Sequence, residues 1–289
     1  MKIQRMSKPK ARILAAVAAT IASLSASAAH AAVLFYDGYS VSAQSNNVDF
    51  ENNLRQTGTV GALAYAQSPA FGSGFDWQSQ VGNGGVPGGL LIVSGGPGGN
   101  TRVSPNHNFN SMTVGDTSMQ ISFDYTSATA GYSTSGFTLG SSTLAGVGSA
   151  GSFGITIIRD ALFGAGNAFL FNDGATNVGI FANTPFDLGA GVNMTLNITD
   201  VLDNDPWNGV GSTNISVSVN GTLLGSYSKG SGGYTNNFMT ISGLQNDNGS
   251  GDVVGVNRWD NLTVTTIPEP SGFALTALGL GILLRRRRA

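Results

Sequence analysis

The chain has 289 residues, no cysteine and a formal charge of −2, which excludes disulfides, thiolate metal sites, a cysteine nucleophile and a lipid attached through an N-terminal cysteine. The small charge conceals an asymmetry: nine of the 14 basic residues lie at the two ends, while residues 32–267 carry only Arg55, Arg102, Arg159, Lys229 and Arg258 against 15 acidic residues, a net of −10. Nothing in that body clusters to meet a phosphate backbone, which argues against nucleic acid as a partner.

The first 31 residues have the form of a secretory signal peptide. A basic stretch from Lys2 to Arg12 precedes an apolar run from about Ile13 to Leu24, and Ala29-His30-Ala31 fits the A-x-A pattern that places cleavage before Ala32. An N-terminal membrane anchor is the alternative, although the apolar run falls short of the ~20 residues of a spanning helix.

From residue 32 apolar and polar residues alternate in short runs, the period of half-buried strands. Strands are predicted at 33–36, 61–66, 89–93, 119–125, 153–159, 168–172, 178–182, 194–198, 215–219, 237–244 and 253–265. The clearest local signal is Ser216–Ser228, where Asn220-Gly221 stands between two apolar runs and predicts a two-residue type I′ hairpin. The glycine-rich stretch 82–100 flanks a single predicted strand. No amphipathic helix, internal repeat or domain boundary shows between 32 and 267. The expected class is all-β, an antiparallel β-sandwich over 32–266, with the signal peptide at 1–31 and a separate tail at 267–289.

That tail carries Pro268-Glu269-Pro270, an apolar stretch Gly272–Leu284 of 13 residues, then Arg285, Arg286, Arg287 and Arg288. Arginines behind an apolar helix are retained on the cytoplasmic side, so the body would be held outside. The three parts, in this order at the C-terminus, resemble the PEP-CTERM sorting signal of Gram-negative bacteria. The resemblance covers about 23 residues and implies routing: recognition and cleavage near the motif by an exosortase in the membrane, export to the cell surface, and membrane contact only through the tail before processing.

The body has a second resemblance, to the concanavalin-like (LamG-type) jelly roll. It rests on Asn193–Thr199, the acidic loop after it, the strand, Asn-Gly turn and strand of 215–227, and Trp259–Thr265 as a closing strand paired with Val33–Tyr36.

Catalytic signals are sparse. The Glu-x-Asp-x-x-Glu strand typical of concanavalin-like hydrolases is absent, and Glu51 is the only glutamate of the body, so an acid/base pair would have to come from aspartates. His107, the only histidine of the body, lies in the loop Ser104–Asn110 without a Gly-x-Ser-x-Gly elbow, which reads as a polar loop residue. Gly146–Gly151 matches Gly-x-Gly-x-x-Gly but is followed by a strand pattern rather than a helix, which rules out a dinucleotide loop.

Two loops concentrate oxygen ligands: Asp200, Asp203, Asn204 and Asp205, and farther on Asp247, Asn248 and Asp252. Clustered carboxylates suit calcium, while the same residues also simply make turns. Trp207 and Trp77 lie in loop-like contexts as candidates for stacking on a sugar ring, whereas Trp259 is expected in the core. The expected function is that of an exported, non-enzymatic surface or matrix protein, glycan-binding or structural, with extracellular polysaccharide as the suggested partner. The alternative is a polysaccharide hydrolase or lyase acting through aspartates.

Overall fold

The computed structural model describes residues 33–38, 66–68, 77–80, 89–92, 101–105, 118–127, 132–140, 142, 144–160, 166–200, 210–230, 234, 238–247 and 257–267. The chain divides into two units, residues 32–266 and the two ends, and all the strands below belong to the first. In chain order they are β1 (Val33–Asp37), β2 (Ala66–Ser68), β3 (Trp77–Gln80), β4 (Gly89–Ile92), β5 (Thr101–Ser104), β6 (Met119–Ser127), β7 (Tyr132–Gly140) and β8 (Phe153–Asp160). They continue with β9 (Asn167–Asp173), β10 (Thr176–Thr184), β11 (Val192–Asp200), β12 (Thr213–Val219), β13 (Thr222–Lys229), β14 (Phe238–Asp247) and β15 (Asn257–Thr266).

All pairings among these strands are antiparallel, and they form two sheets. One has the order β13-β12-β11-β6-β15-β4-β3 with β1 also on β15; the other has β10-β9-β8-β7-β14-β5-β2. The expected all-β antiparallel sandwich is therefore the observed architecture. Closure of β15 on β1 is observed too, with Phe35 opposite Val264 and Asp37 opposite Leu262.

Period-two alternation builds the core. On β6 the inward residues Met119, Ile121, Phe123 and Tyr125 are buried, and β11 and β12 bring Met194, Leu196, Ile198, Ile215 and Val217 to the same layer. The opposite sheet supplies Phe137, Phe153, Ile155, Phe169, Phe171 and Ile241. Phe123 stacks on Phe137 across the two sheets at 5.0 Å between ring centres, and Trp259 packs against Phe123 at 4.9 Å and Tyr125 at 5.0 Å. Trp259 is thus core, as its position predicts.

Polar residues join the sheets at two places. Tyr125 O–H donates to Asn257 Oδ1 at 3.1 Å with Ser135 Oγ at 3.3 Å, and Ser127 and Ser133 share a 2.8 Å hydrogen bond. Burial pushes the Tyr125 phenol up to about 12, so it stays a donor. At the edge bearing β10 and β13, Asp173 of one sheet accepts from Tyr227 O–H at 2.7 Å and from Lys229 Nζ at 2.9 Å, both of the other sheet. Tyr234 O–H donates to the same carboxylate at 3.1 Å, and Lys229 Nζ lies 4.9 Å from the Tyr234 ring centre.

Several elements differ from the expectation. Trp77 begins β3, opposite Ile92, rather than lying in a loop; β2 starts where the predicted 61–66 strand ends; and β5 and β7 appear where no strand is predicted. The Asn-Gly turn is present: Asn220 has φ 50° and Gly221 φ 75°, and Asn193 N–H donates to Asn220 Oδ1 at 2.8 Å. A Cβ added at Gly221 would meet nothing within 4 Å, so only the backbone resists a side chain there. Gly221→Val should lower stability by about 1–3 kcal/mol, and an unchanged denaturation midpoint would contradict the strain assigned to this turn.

Candidate binding face

Of the residues singled out from sequence, Asp200 ends β11, buried, and faces Thr213 of β12 in register. Asp203, Asn204, Asp205 and Trp207 lie outside the described residues, as do Asn248, Asp252 and His107, and so do Pro268, Glu269, Pro270 and Arg285 to Arg288. Trp77 stands at the start of β3. Among the described residues no group of three acidic or histidine side chains is arranged to hold a metal ion, and no helix is long and apolar enough to cross a membrane.

The structure draws attention instead to the outer face of the seven-stranded sheet. On β7, Phe137 and Leu139 point to the core, so Gly136, Thr138 and Gly140 take the opposite face; on β14, Met239 and Ile241 do the same and leave Thr240 and Ser242 outside. The register sets these side by side. Thr240 pairs with Thr138, which pairs with Gly154 of β8, while Ser242 pairs on one side with Gly136 and on the other with Arg102 of β5.

The result is a floor of glycines and hydroxyls with a guanidinium at its rim. Thr138, Thr240 and Ser242 are fully buried and Ser152 is 1% exposed, yet none of the four hydroxyls has a hydrogen-bond partner. A buried hydroxyl left unpaired costs about 1–3 kcal/mol. Four together in one patch are a substantial local deficit, set among Gly136, Gly140 and Gly154. Sequence reading passes over them because serine, threonine and glycine carry no chemical signature, although Tyr132–Gly140 stands out as a hydroxyl-rich strand.

The outer face of the eight-stranded sheet is polar in a different way. Asp124 accepts from Asn193 Nδ2 and Asn261 Nδ2, each at 2.8 Å, and Gln120 Nε2 donates to Asn197 Oδ1 at 2.8 Å. Asn261 sits in the bulge of β15 with φ 51°. Asp260 is directly opposite Asp124 in the ladder. Burial first, then the Asp124 and Asp37 charges, raise the Asp260 carboxyl to about 6, against the Asn261 N–H and Arg258 that favour its ionised form.

No protein-family model and no curated protein matches the chain. Among solved structures, an alginate lyase in complex with alginate tetrasaccharide is 9% identical over 82% of this chain and 97% of its own, with a TM-score of 0.45. Peanut lectin is 12% identical over 72% and 100%, TM-score 0.43. The legume lectin-like domain from Entamoeba histolytica is 10% identical over 63% and 84%, TM-score 0.39. At these scores the architecture rests on the strand pairing and not on the likeness.

The two carboxylates make opposite predictions for pH. Asp260 is raised in the folded chain, so its protonated form contributes stability at low pH that is lost as the pH rises towards 6. Asp260→Asn should therefore raise the melting temperature at pH 7, by the equivalent of about 1–2 kcal/mol, with the gain gone below pH ~4; an equal effect at both pH values would overturn the burial argument. Burial pushes Asp173 up, but the bonds from Lys229 and Tyr227, the Lys229 charge and Tyr234 outweigh it and hold it below the ordinary carboxylate range. Its contribution is present at neutral pH and lost as the pH falls through that lowered value, so Asp173→Asn should destabilise at pH 7 and converge with the unaltered protein in acid.

Proposed function

We propose that the chain is an exported protein, sorted to the surface of a Gram-negative cell by an exosortase, whose sandwich binds a glycan without turning it over. The routing half rests on the two ends: the leader closing at Ala29-His30-Ala31, and Pro268-Glu269-Pro270, the apolar stretch and Arg285 to Arg288. The binding half rests on one observation, the four partnerless buried hydroxyls of Thr138, Ser152, Thr240 and Ser242 on a floor of glycines.

A saccharide is the ligand class that meets that floor. It presents donors and acceptors at every ring carbon, so it can pair hydroxyls that offer both, and its thin ring edge can approach where glycine leaves no Cβ. The extent of the face supports an extended chain. A row from Arg102 through Ser242, Gly136, Thr156 and Leu170 to Ile180 crosses six strands, and at about 4.8 Å between strands it spans roughly 24 Å.

One observation favours the second reading, an aspartate-based hydrolase or lyase: Asp260, raised to about 6, opposes Asp124 across the ladder. A raised acid beside a second carboxylate is the arrangement of glycoside hydrolysis. Against it, both oxygens of Asp124 are held by carboxamides of Asn193 and Asn261, which fits a structural role better.

Affinity electrophoresis in dextran, laminarin and alginate tests the binding. The unaltered protein should be retarded by at least one of them, and Ser242→Val with Thr138→Val should remove most of the retardation. Retardation that survives both changes would place binding elsewhere. Release of reducing ends or unsaturated products that is abolished by Asp260→Asn would replace this reading with the enzymatic one. For the routing, intact-mass measurement of surface-released protein should show a chain beginning near Ala32 and lacking the arginines. A species outside the inner membrane that retains Arg285 to Arg288 would refute exosortase processing.

A further inference from the structure

We propose that residues 144–151 are a strap lying over part of the hydroxyl floor, latched by Arg102, and that a saccharide gains full access by displacing it. The inference rests on the glycan-binding reading and adds its regulation. The strap is seated on positions that only glycine allows. A Cβ at Gly140 would stand 2.3 Å from the Ala145 Cβ, and one at Gly154 would stand 3.0 Å from Val147 Cγ1. Gly140 and Gly154 flank Thr138 along and across the floor, so Ala145 and Val147 cover the ground beside it.

Its fastening comes from the rim. Arg102 Nη1 donates to the Leu144 carbonyl at 3.0 Å, and a Cβ at Gly146 would stand 2.6 Å from the Arg102 guanidinium carbon. The far end is held by Gly174 N–H donating to the Ser152 carbonyl at 2.8 Å. Between these points the backbone is turn-like: Ser149 N–H donates to the Gly146 carbonyl at 3.0 Å, and Leu144, Gly148 and Gly151 have φ values of 63°, 89° and 68°. A leucine in the left-handed region is strained, which lowers the cost of letting that residue go.

The decisive feature is what the strap leaves undone. A loop selected only to close the sheet would bring a carbonyl or hydroxyl to Thr138 and Ser152, because buried polar groups are almost always paired. This one packs the methyl of Ala145 on Gly140 and the side chain of Val147 on Gly154, beside the two residues, and leaves both hydroxyls without partners. A saccharide in the same place would pair them, and would also meet the Arg102 Nη1 that now donates to Leu144. The shut strap is thus a competitor that gives the floor packing without hydrogen bonds.

The test compares full-length chains purified in detergent: the unaltered protein, Val147→Gly, which removes the plug over Gly154 without touching Arg102, and Arg102→Ala, which removes the latch. Dextran, laminarin and alginate are the probes, with affinity electrophoresis and amide hydrogen exchange of 144–151 as readouts. If the open form is a minor population of up to about 10%, abolishing the closed one should tighten binding roughly tenfold or more. Val147→Gly should show that gain, and in the unaltered protein polysaccharide should speed exchange of the strap amides. A gain in Val147→Gly with a loss in Arg102→Ala also supports the strap and makes Arg102 a ligand contact. Equal binding by Val147→Gly and the unaltered protein, or strap amides that become more protected on binding, overturns the strap and leaves the glycan reading standing. Binding by none of the three chains overturns both.

Discussion

The contact between Phe123 and Phe137 is the one on which the sandwich depends. Phe123 sits on β6 and Phe137 on β7, consecutive strands that belong to different sheets, and their rings stack at 5.0 Å between the two layers. With no cysteine in the chain, nothing covalent holds the sheets in register. Burial of large apolar side chains has to do it, at about 1.5–3 kcal/mol for each side chain removed from water. Trp259 completes the anchor because β15, which carries it, pairs with β6 at Tyr125 and with β4 on its other side. The aromatic cluster therefore fixes β4, β6, β7 and β15 relative to one another, and β1 follows through its own pairing with β15.

The polar contacts between sheets refine this arrangement rather than create it. The Tyr125, Asn257, Ser133 and Ser135 network is satisfied within itself, and a satisfied network in a dry layer specifies geometry because its alternatives leave groups unpaired. It also explains the composition of β7, whose inner face is serine at one end and phenylalanine and leucine at the other. The Asp173 clasp does a similar service at the open edge, where Gly225 lets the Phe181 ring of β10 lie against β13. Both edge strands are interrupted by bulges, at Asn177/Gly179 and Phe181/Thr184 on β10 and at Val217/Ser218 between β12 and β13, which discourages further strand pairing.

What the sequence disclosed followed from that division of labour. Strands with one apolar face, such as Met119–Ser127, Val192–Asp200 and Thr213–Val219, were legible because alternation is the direct imprint of half-burial. The Asn220-Gly221 turn was legible because positive φ at two successive residues admits few sequences. Tyr132–Gly140 was not, since residues 133–140 are buried on both faces and its inner face is partly serine, so neither alternation nor an apolar run marks it. The hydroxyl floor escaped for a related reason. Its residues are among the commonest in the chain, and only the register of β5, β14, β7 and β8 brings them together. The acidic loop and its tryptophan were conspicuous in sequence for the opposite reason, being rare residues close together.

The two outer faces of the sandwich supply the argument that the floor is there for something other than folding. On the eight-stranded sheet, polar residues stand in the ladder opposite polar residues, and carboxamides and carboxylates pair: Asn193 and Asn261 with Asp124, and Gln120 with Asn197. Folding alone produces such pairing of carboxamides with carboxylates and with one another. On the seven-stranded sheet, the central strand β7 and its neighbour β14 carry threonine and serine into complete burial and leave them unpaired. Valine at Thr138 or Thr240 would have the same shape, a higher strand propensity and no hydroxyl to desolvate, so the apolar alternative was close at hand. Buried threonines and a serine held without partners where valine would fit have a cost to account for. The proposed glycan-binding role supplies that account, because a saccharide would give the buried hydroxyls of Thr138, Thr240 and Ser242 the partners they lack.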